Sequence, residues 1–217
     1  MTDKKGIELF KTGSNPGISV SIGKTTIKPQ GSPIHIRFKG HAAKVYLVVD
    51  TSGSMANDKL EQAKKGVLDF AVNAFRKGYD VGLISFNSAA EHIVEPTDDI
   101  EILRNCARQM NATGSTNMSG AIAMAHNYLG GGADTRVIVV ATDGLPDSPQ
   151  DALDEAAKAK ESGIDIITIG TDDADQEFLK KIASRSELGK KVTRELFSQG
   201  ISSASGLLPS PKSMTKR

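Results

Sequence analysis

Short oxygen-bearing side chains crowd two places in this chain. Asp50-Thr51-Ser52-Gly53-Ser54 follows directly on the apolar run VYLVV, and Thr142-Asp143-Gly144 follows directly on VIVVA. Gly53 lets the first loop fold back, so a carboxylate and two hydroxyls can face one point. That donor set suits a hard divalent cation, Mg²⁺ or Mn²⁺ with Ca²⁺ as a further option. Mg²⁺ takes about six oxygens at about 2.0–2.1 Å and usually keeps several of them as water. A third loop, Thr113-Gly114-Ser115-Thr116-Asn117, lies between two helical stretches and offers another hydroxyl. With few carboxylates as direct ligands, such a metal stays electrophilic and keeps a coordination position open. The plain alternative is local: Ser54 or Asn57 caps the helix that follows.

The elements that must position these residues are four short runs rich in Val and Ile. They are KVYLVVD (44–50), DVGLISF (80–86), TRVIVVAT (135–142) and GIDIITIG (163–170). Continuous apolar runs of this length read as parallel strands buried on both faces. Between the first two, Leu60, Ala63, Val67, Ala71 and Phe75 recur at helical spacing, with Lys59, Glu61, Lys65, Asp69 and Arg76 on other faces. This predicts an amphipathic crossover helix closing near Gly78. After DVGLISF a turn at Asn87-Ser88-Ala89 leads into AEHIVEP, too close for a crossover, which predicts an antiparallel edge strand ended by Pro96. Helices are expected over about 98–109, 118–129, 148–161 and 175–185. The alternation predicts an α/β fold, a doubly wound, mostly parallel sheet with helices on both faces. Right-handed crossovers to either side of the first strand make it a neighbour of VIVVA, so Asp50 and Asp143 meet at a switch point outside the strand carboxyl ends. Two carboxylates there repel unless a cation lies between them.

Asp50-Thr51-Ser52-Gly53-Ser54, Gly114-Ser115-Thr116 and Ala141-Thr142-Asp143-Gly144 together resemble the three parts of the metal-ion-dependent adhesion site of the von Willebrand factor A (vWA) family, over about residues 43–197. The resemblance implies a six-stranded sheet of order 3-2-1-4-5-6 with strand 3 antiparallel. It implies Ser52 and Ser54 as direct ligands, and Asp50, Thr116 and Asp143 as ligands made directly or through water. It also implies binding in place of turnover, the open position being filled by an Asp or Glu carboxylate of a partner protein. Intracellular bacterial members of the family commonly work beside AAA-type ATPases, so such an ATPase is one expected partner. The family usually ends in a helix packed on the sheet. Here 197–208 keeps helical spacing at Phe197, Ile201, Ala204 and Leu208, while Gly200 and Gly206 weaken it.

Competing chemistries are poorer matches. A Mg²⁺-dependent phosphohydrolase of the haloacid dehalogenase type would use Asp50 as nucleophile, but it needs a second Asp two residues on, where Ser52 stands. A purely structural subunit with a stabilising metal is the third reading. Ser21-Ile22-Gly23-Lys24-Thr25-Thr26 imitates the end of a phosphate-binding loop, yet five residues separate Gly17 from Gly23 where four are needed, so a hairpin turn is expected. Gly130-Gly131-Gly132 reads as a helix C-cap and loop. His35, His41, His92 and His126 are scattered with no G-x-S-x-G elbow, and Cys106 shares helical spacing with Ile102 as a core position. The acidic clusters Glu95, Asp98, Asp99, Glu101 and Asp172, Asp173, Asp175 are expected at helix N-termini. Asp147 is expected either to orient a metal-bound water or, with Ser148, to cap the next helix.

Composition bounds the rest. The 217 residues are 38% hydrophobic, enough for a core, and 27 Lys plus Arg against 26 Asp plus Glu give a net charge of +1. Near neutrality argues against nucleic acid or an anionic membrane as partner. The single cysteine excludes an internal disulfide and fits a cytoplasmic setting. No apolar run approaches the roughly 18–20 residues of a membrane span. The expected organisation is an N-terminal β appendage over 1–40, a vWA domain over 41–208 and a mobile tail over 209–217.

Overall fold

The computed structural model describes the strands at 7–11, 20–22, 25–27 and 34–38, and then residues 43–131, 133–171 and 173–211. The chain divides into two compact units, Met1–His41 and Ala42–Arg217. In the first, β1 (Ile7–Lys11), β2 (Val20–Ile22), β3 (Thr25–Ile27) and β4 (Ile34–Phe38) form two antiparallel pairs, β1 with β4 and β2 with β3. The pairing of Ser21 with Thr26 accords with the hairpin expected there; Gly17, Gly23 and Lys24 lie outside the described residues.

The second unit runs β5 (Ala43–Asp50), α1 (Asp58–Arg76), β6 (Tyr79–Phe86), β7 (Ala90–Thr97), α2 (Ile100–Gln109), α3 (Met118–Leu129), β8 (Arg136–Thr142), α4 (Pro149–Glu161), β9 (Asp165–Gly170), α5 (Gln176–Ile182), β10 (Gly189–Lys191) and α6 (Phe197–Ala204). Its sheet has the order β10-β9-β8-β5-β6-β7, with β7 alone antiparallel. Counted along this unit, that is the expected 3-2-1-4-5-6. The edge strand continues through Pro96 to Thr97 with register shifts, so Pro96 does not end it. Proline is tolerated there because an edge position needs no ladder donor on its outer side.

Period-two alternation divides the core between the two sheet faces. Val45, Leu47 and Val49 of β5 join Phe70, Leu103 and Phe197 on one side. Tyr46 and Val48 join Ile122, Ala156 and Ile166 on the other. Val45 through Val49 are at most 1% exposed, which is why the run carries no polar alternation. Helix α1 buries Leu60, Ala63, Val67 and Ala71 as its spacing predicts. Lys59, expected off the apolar face, is only 7% exposed. In α2 the buried positions are Leu103 and Ala107; Cys106 is half-buried and packs against the core as expected, whereas Ile102 is exposed, which corrects that half of the expected pair.

The C-terminal helix is better packed than its glycines suggest. Phe197, Ile201, Ala204 and Leu208 are all buried. A Cβ on Gly200 would meet Ile169 and Val192 at 3.0–3.1 Å, and one on Gly66 of α1 would meet Ile201 Cβ at 2.8 Å and the Ser198 carbonyl at 2.9 Å. Glycine at these positions lets α6 lie close against α1 and the sheet. Gly66→Leu is therefore expected to destabilise the domain by about 1–3 kcal/mol through overpacking, read from urea unfolding. Among the described residues no helix is long and apolar enough to cross a membrane.

Candidate metal centre

Strand pairing brings the two acidic loops together. β5 and β8 are parallel neighbours, with Val49 opposite Ala141, so Asp50 and Thr142 emerge side by side at the carboxyl end of the sheet. The Thr142 hydroxyl donates to Asp50 Oδ2 at 2.6 Å and the Ser52 amide donates to Asp50 Oδ1 at 2.8 Å. Asp50 is fully buried, and that burial pushes its carboxyl up to about 6 against the pull of these hydrogen bonds, with Asp143 adding to the rise.

A chain of oxygens continues from the first loop to the second. Ser52 Oγ and Ser54 Oγ are 3.1 Å apart, and Ser54 Oγ donates to Asp143 Oδ1 at 2.8 Å. The Ser54 proton goes to Asp143, and the Ser52 hydroxyl lies within hydrogen-bond reach of both Ser54 and the Asp50 carboxylate. Thr51 fixes the loop beneath, its amide and hydroxyl both donating to the Phe86 carbonyl at the end of β6, at 2.7 and 3.0 Å. The Gly-Ser-Thr loop is held alongside by Gly53 N to Gly114 O at 3.0 Å and Thr113 N to Thr51 O at 2.8 Å. Gly114 has φ +74°, a conformation that suits glycine, and a Cβ there would lie 2.5 Å from the Ser88 hydroxyl.

Four of the expected residues, Asp50, Ser52, Ser54 and Asp143, thus share one hydrogen-bonded network, with Thr142 as a fifth member. Thr116 lies on the adjoining loop and is tied to the second acidic loop through its backbone. Its amide donates to Asp147 Oδ2, and its carbonyl accepts from the Asp147 amide, both at 3.0 Å. Asp147 is thereby a clamp between two loops, and neither it nor Ser148 caps α4 through a side chain. Asn57 occupies the cap position of α1 at φ 67° without a side-chain bond, and Ser54 is committed to Asp143, so neither caps that helix.

The residue that sequence reasoning missed is Lys59. Its ammonium lies 2.6 Å from Asp143 Oδ2 and 2.6 Å from Asp173 Oδ2. Burial disfavours its charge, but the bonds to the two carboxylates outweigh that and raise its pKa. Asp173 is therefore an ion-pair partner and not a helix cap, and Lys59 holds its carboxyl below the ordinary range. Asp99 and Asp175 do cap α2 and α5, accepting from Ile102 and Phe178 amides respectively; Asp172 lies outside the described residues, as does Gly132 beyond the Gly130 C-cap of α3. The place of Lys59 is legible, since Lys59, Ala63 and Val67 stand four residues apart and put the lysine at the end of the apolar stripe, but that spacing does not name Asp143 as its partner. His92 bonds to Tyr46 and His126 to Ser162, away from this network.

The donors fit a hard cation. Neighbouring oxygens of an octahedral shell at about 2.1 Å stand about 3 Å apart, and the hydroxyl–hydroxyl and hydroxyl–carboxylate separations here are 3.1 and 2.8 Å. Among the described residues no three His, Cys, Asp or Glu side chains cluster as a metal-binding group, so a metal here would depend on serine and threonine hydroxyls. Such oxygens suit Mg²⁺ and Mn²⁺ better than soft ions.

A doubly wound sheet with a hydroxyl and carboxylate cluster at its central switch point defines a class of domain. The model of the von Willebrand factor type A domain matches residues 44–201, and the chain belongs to that family. It is 33% identical over 114 residues to the magnesium-chelatase 67 kDa subunit of Heliobacterium mobile, a match covering 50% of this chain and 17% of that subunit. The vWF domain of the type V pili tip protein Mfa5 from Porphyromonas gingivalis shares the fold at a TM-score of 0.69 and 16% identity, covering 77% of this chain and 95% of that one. Proximal thread matrix protein 1 of the mussel byssus, in a form described as having a zinc-occupied MIDAS motif, aligns with a TM-score of 0.63 at 18% identity, over 76% of this chain and 46% of that chain.

Proposed function

We propose that this chain is a metal-dependent protein-interaction module, in which Mg²⁺ or Mn²⁺ is held by Asp50, Ser52, Ser54, Thr116 and Asp143 and completed by an Asp or Glu carboxylate of another protein. The observation that carries this reading is the oxygen run from Ser52 through Ser54 to Asp143 at the spacing of a coordination shell. The zinc-occupied motif in the mussel protein supports a divalent ion at this place in the fold. The engagement of both Asp50 oxygens, by Ser52 and Thr142, favours a binding role over a nucleophilic one. The partner is an intracellular protein in a larger assembly, with an AAA-type ATPase as the first choice, and the lone Cys106 fits the reducing cytoplasm.

Immobilised protein tests this in Mg²⁺ and in chelator, beside Asp50→Ala checked for fold by circular dichroism. The partner is expected to be retained in Mg²⁺ and lost both in chelator and from the folded variant. Capture indifferent to chelator, or an Asp50→Ala chain that no longer folds, contradicts the proposal and favours a purely structural site.

A further inference from the structure

Asp143 has two oxygens and both are engaged inside the protein. Oδ1 takes the Ser54 hydroxyl and Oδ2 takes the Lys59 ammonium at 2.6 Å. The Lys59 side chain is 8% exposed and that of Asp143 1%, so the attraction between them is only weakly screened. Asp173, on the loop after β9, has a side chain 58% exposed and takes the same ammonium at 2.6 Å. A buried cation therefore sits between one carboxylate of the metal site and one on the surface outside it. Leu60 and Ala63 beside it belong to the apolar core, while the Lys59 ammonium meets a carboxylate on each side.

We propose that Lys59 is an internal counter-cation that sets the metal affinity of the site: it neutralises Asp143, which keeps the two buried acids Asp50 and Asp143 compatible without a metal and weakens the hold on a divalent ion when one binds. Asp173 sets the strength of that effect by drawing the ammonium's charge outward. A site so balanced holds its metal loosely and leaves it short of negative charge, which favours capture of a carboxylate from outside. This rests on the metal-binding reading above.

The two residues should act with opposite signs, which a merely structural ion pair would not do. In calorimetric titration of the full chain with Mn²⁺, Lys59→Gln is expected to bind about ten-fold more tightly than the wild type, and Lys59→Arg within about two-fold of it. Asp173→Asn, a surface change that spares the fold, is expected to bind about three-fold more weakly, and to have no effect in the Lys59→Gln background. Unaltered or weaker binding by folded Lys59→Gln, or an Asp173→Asn effect that persists in that background, overturns the proposal while leaving the metal site intact. If Lys59→Gln fails to fold, the sign of the Asp173→Asn effect decides: tighter or unchanged binding overturns it. Absence of Mn²⁺ binding by every form, wild type included, overturns both this proposal and the reading it rests on.

Discussion

Replacing Asp50 by Asn is expected to abolish the stabilisation of the domain by Mg²⁺ and at the same time to make the metal-free domain more stable at neutral pH. Both effects come from one buried carboxylate. Asn keeps an oxygen to accept the Ser52 amide and offers an NH₂ to the Thr142 hydroxyl, so the local bonds survive. What disappears is the charge. Without metal, burial raises the Asp50 pKa from an ordinary 3.8 to about 6, so folding must desolvate a carboxylate that is ionised above that value. A shift of that size corresponds to about 3 kcal/mol of folding stability at neutral pH. The sign follows from proton binding: between about pH 4 and 6 the folded form holds a proton that the unfolded form has released. The Asp50 contribution is therefore fully present below pH 4 and lost as the pH rises through 6. Measured in chelator, the stability advantage of Asp50→Asn over wild type is expected to be about 3 kcal/mol at pH 7 and to vanish toward pH 4. Mg²⁺ narrows this gap, because a cation that binds only the folded wild type adds stability in proportion to the logarithm of its concentration, and the order reverses once Mg²⁺ exceeds its Kd by more than about 200-fold. Thermal melts of both proteins, with chelator and with Mg²⁺, check this. A variant that Mg²⁺ still stabilises as strongly as the wild type contradicts it.

Phe197→Ala is expected to cost about 3–5 kcal/mol, the range for truncating a buried aromatic side chain. Phe197 has no exposed surface and opens α6, whose close seat depends on Gly66 on the α1 side and on Gly200 on the sheet side. Its removal leaves a cavity that a closely packed interface cannot collapse to fill. Urea unfolding measures the loss. A cost below about 1 kcal/mol would mean that α6 is a peripheral attachment and that the core closes without it.

The doubly wound sheet is legible in the sequence because its central strands are buried on both faces and therefore read as unbroken apolar runs. β10 is not legible in this way: Gly189–Lys191 is three residues long and carries two lysines, and its pairing with β9 owes nothing to local composition. Of the site, Asp50 and Asp143 are visible because each ends such a run, and Ser52 and Ser54 because they share a loop with Asp50. The roles of Lys59 and Asp147 are not visible, because each is decided by a partner more than 30 residues away. Lysine on an amphipathic helix ordinarily faces solvent, and only the nearness of Asp143 reverses that preference. Asp147 ahead of a helix ordinarily caps it, but here its carboxylate accepts from the Thr116 amide instead, and its own amide donates to the Thr116 carbonyl. Gly200 misleads for a related reason, since helix propensity counts the backbone entropy of glycine and not the close packing that its missing side chain permits.

The most direct test of the account is calorimetric titration of the intact chain with Mg²⁺ and with Mn²⁺ at neutral pH and moderate salt, beside folded Asp50→Asn. Saturable binding near one ion per chain, absent from the variant, is the predicted result. Equal binding by wild type and variant, or none by the wild type with either ion, would contradict the assignment of the strand-end oxygens as a metal site.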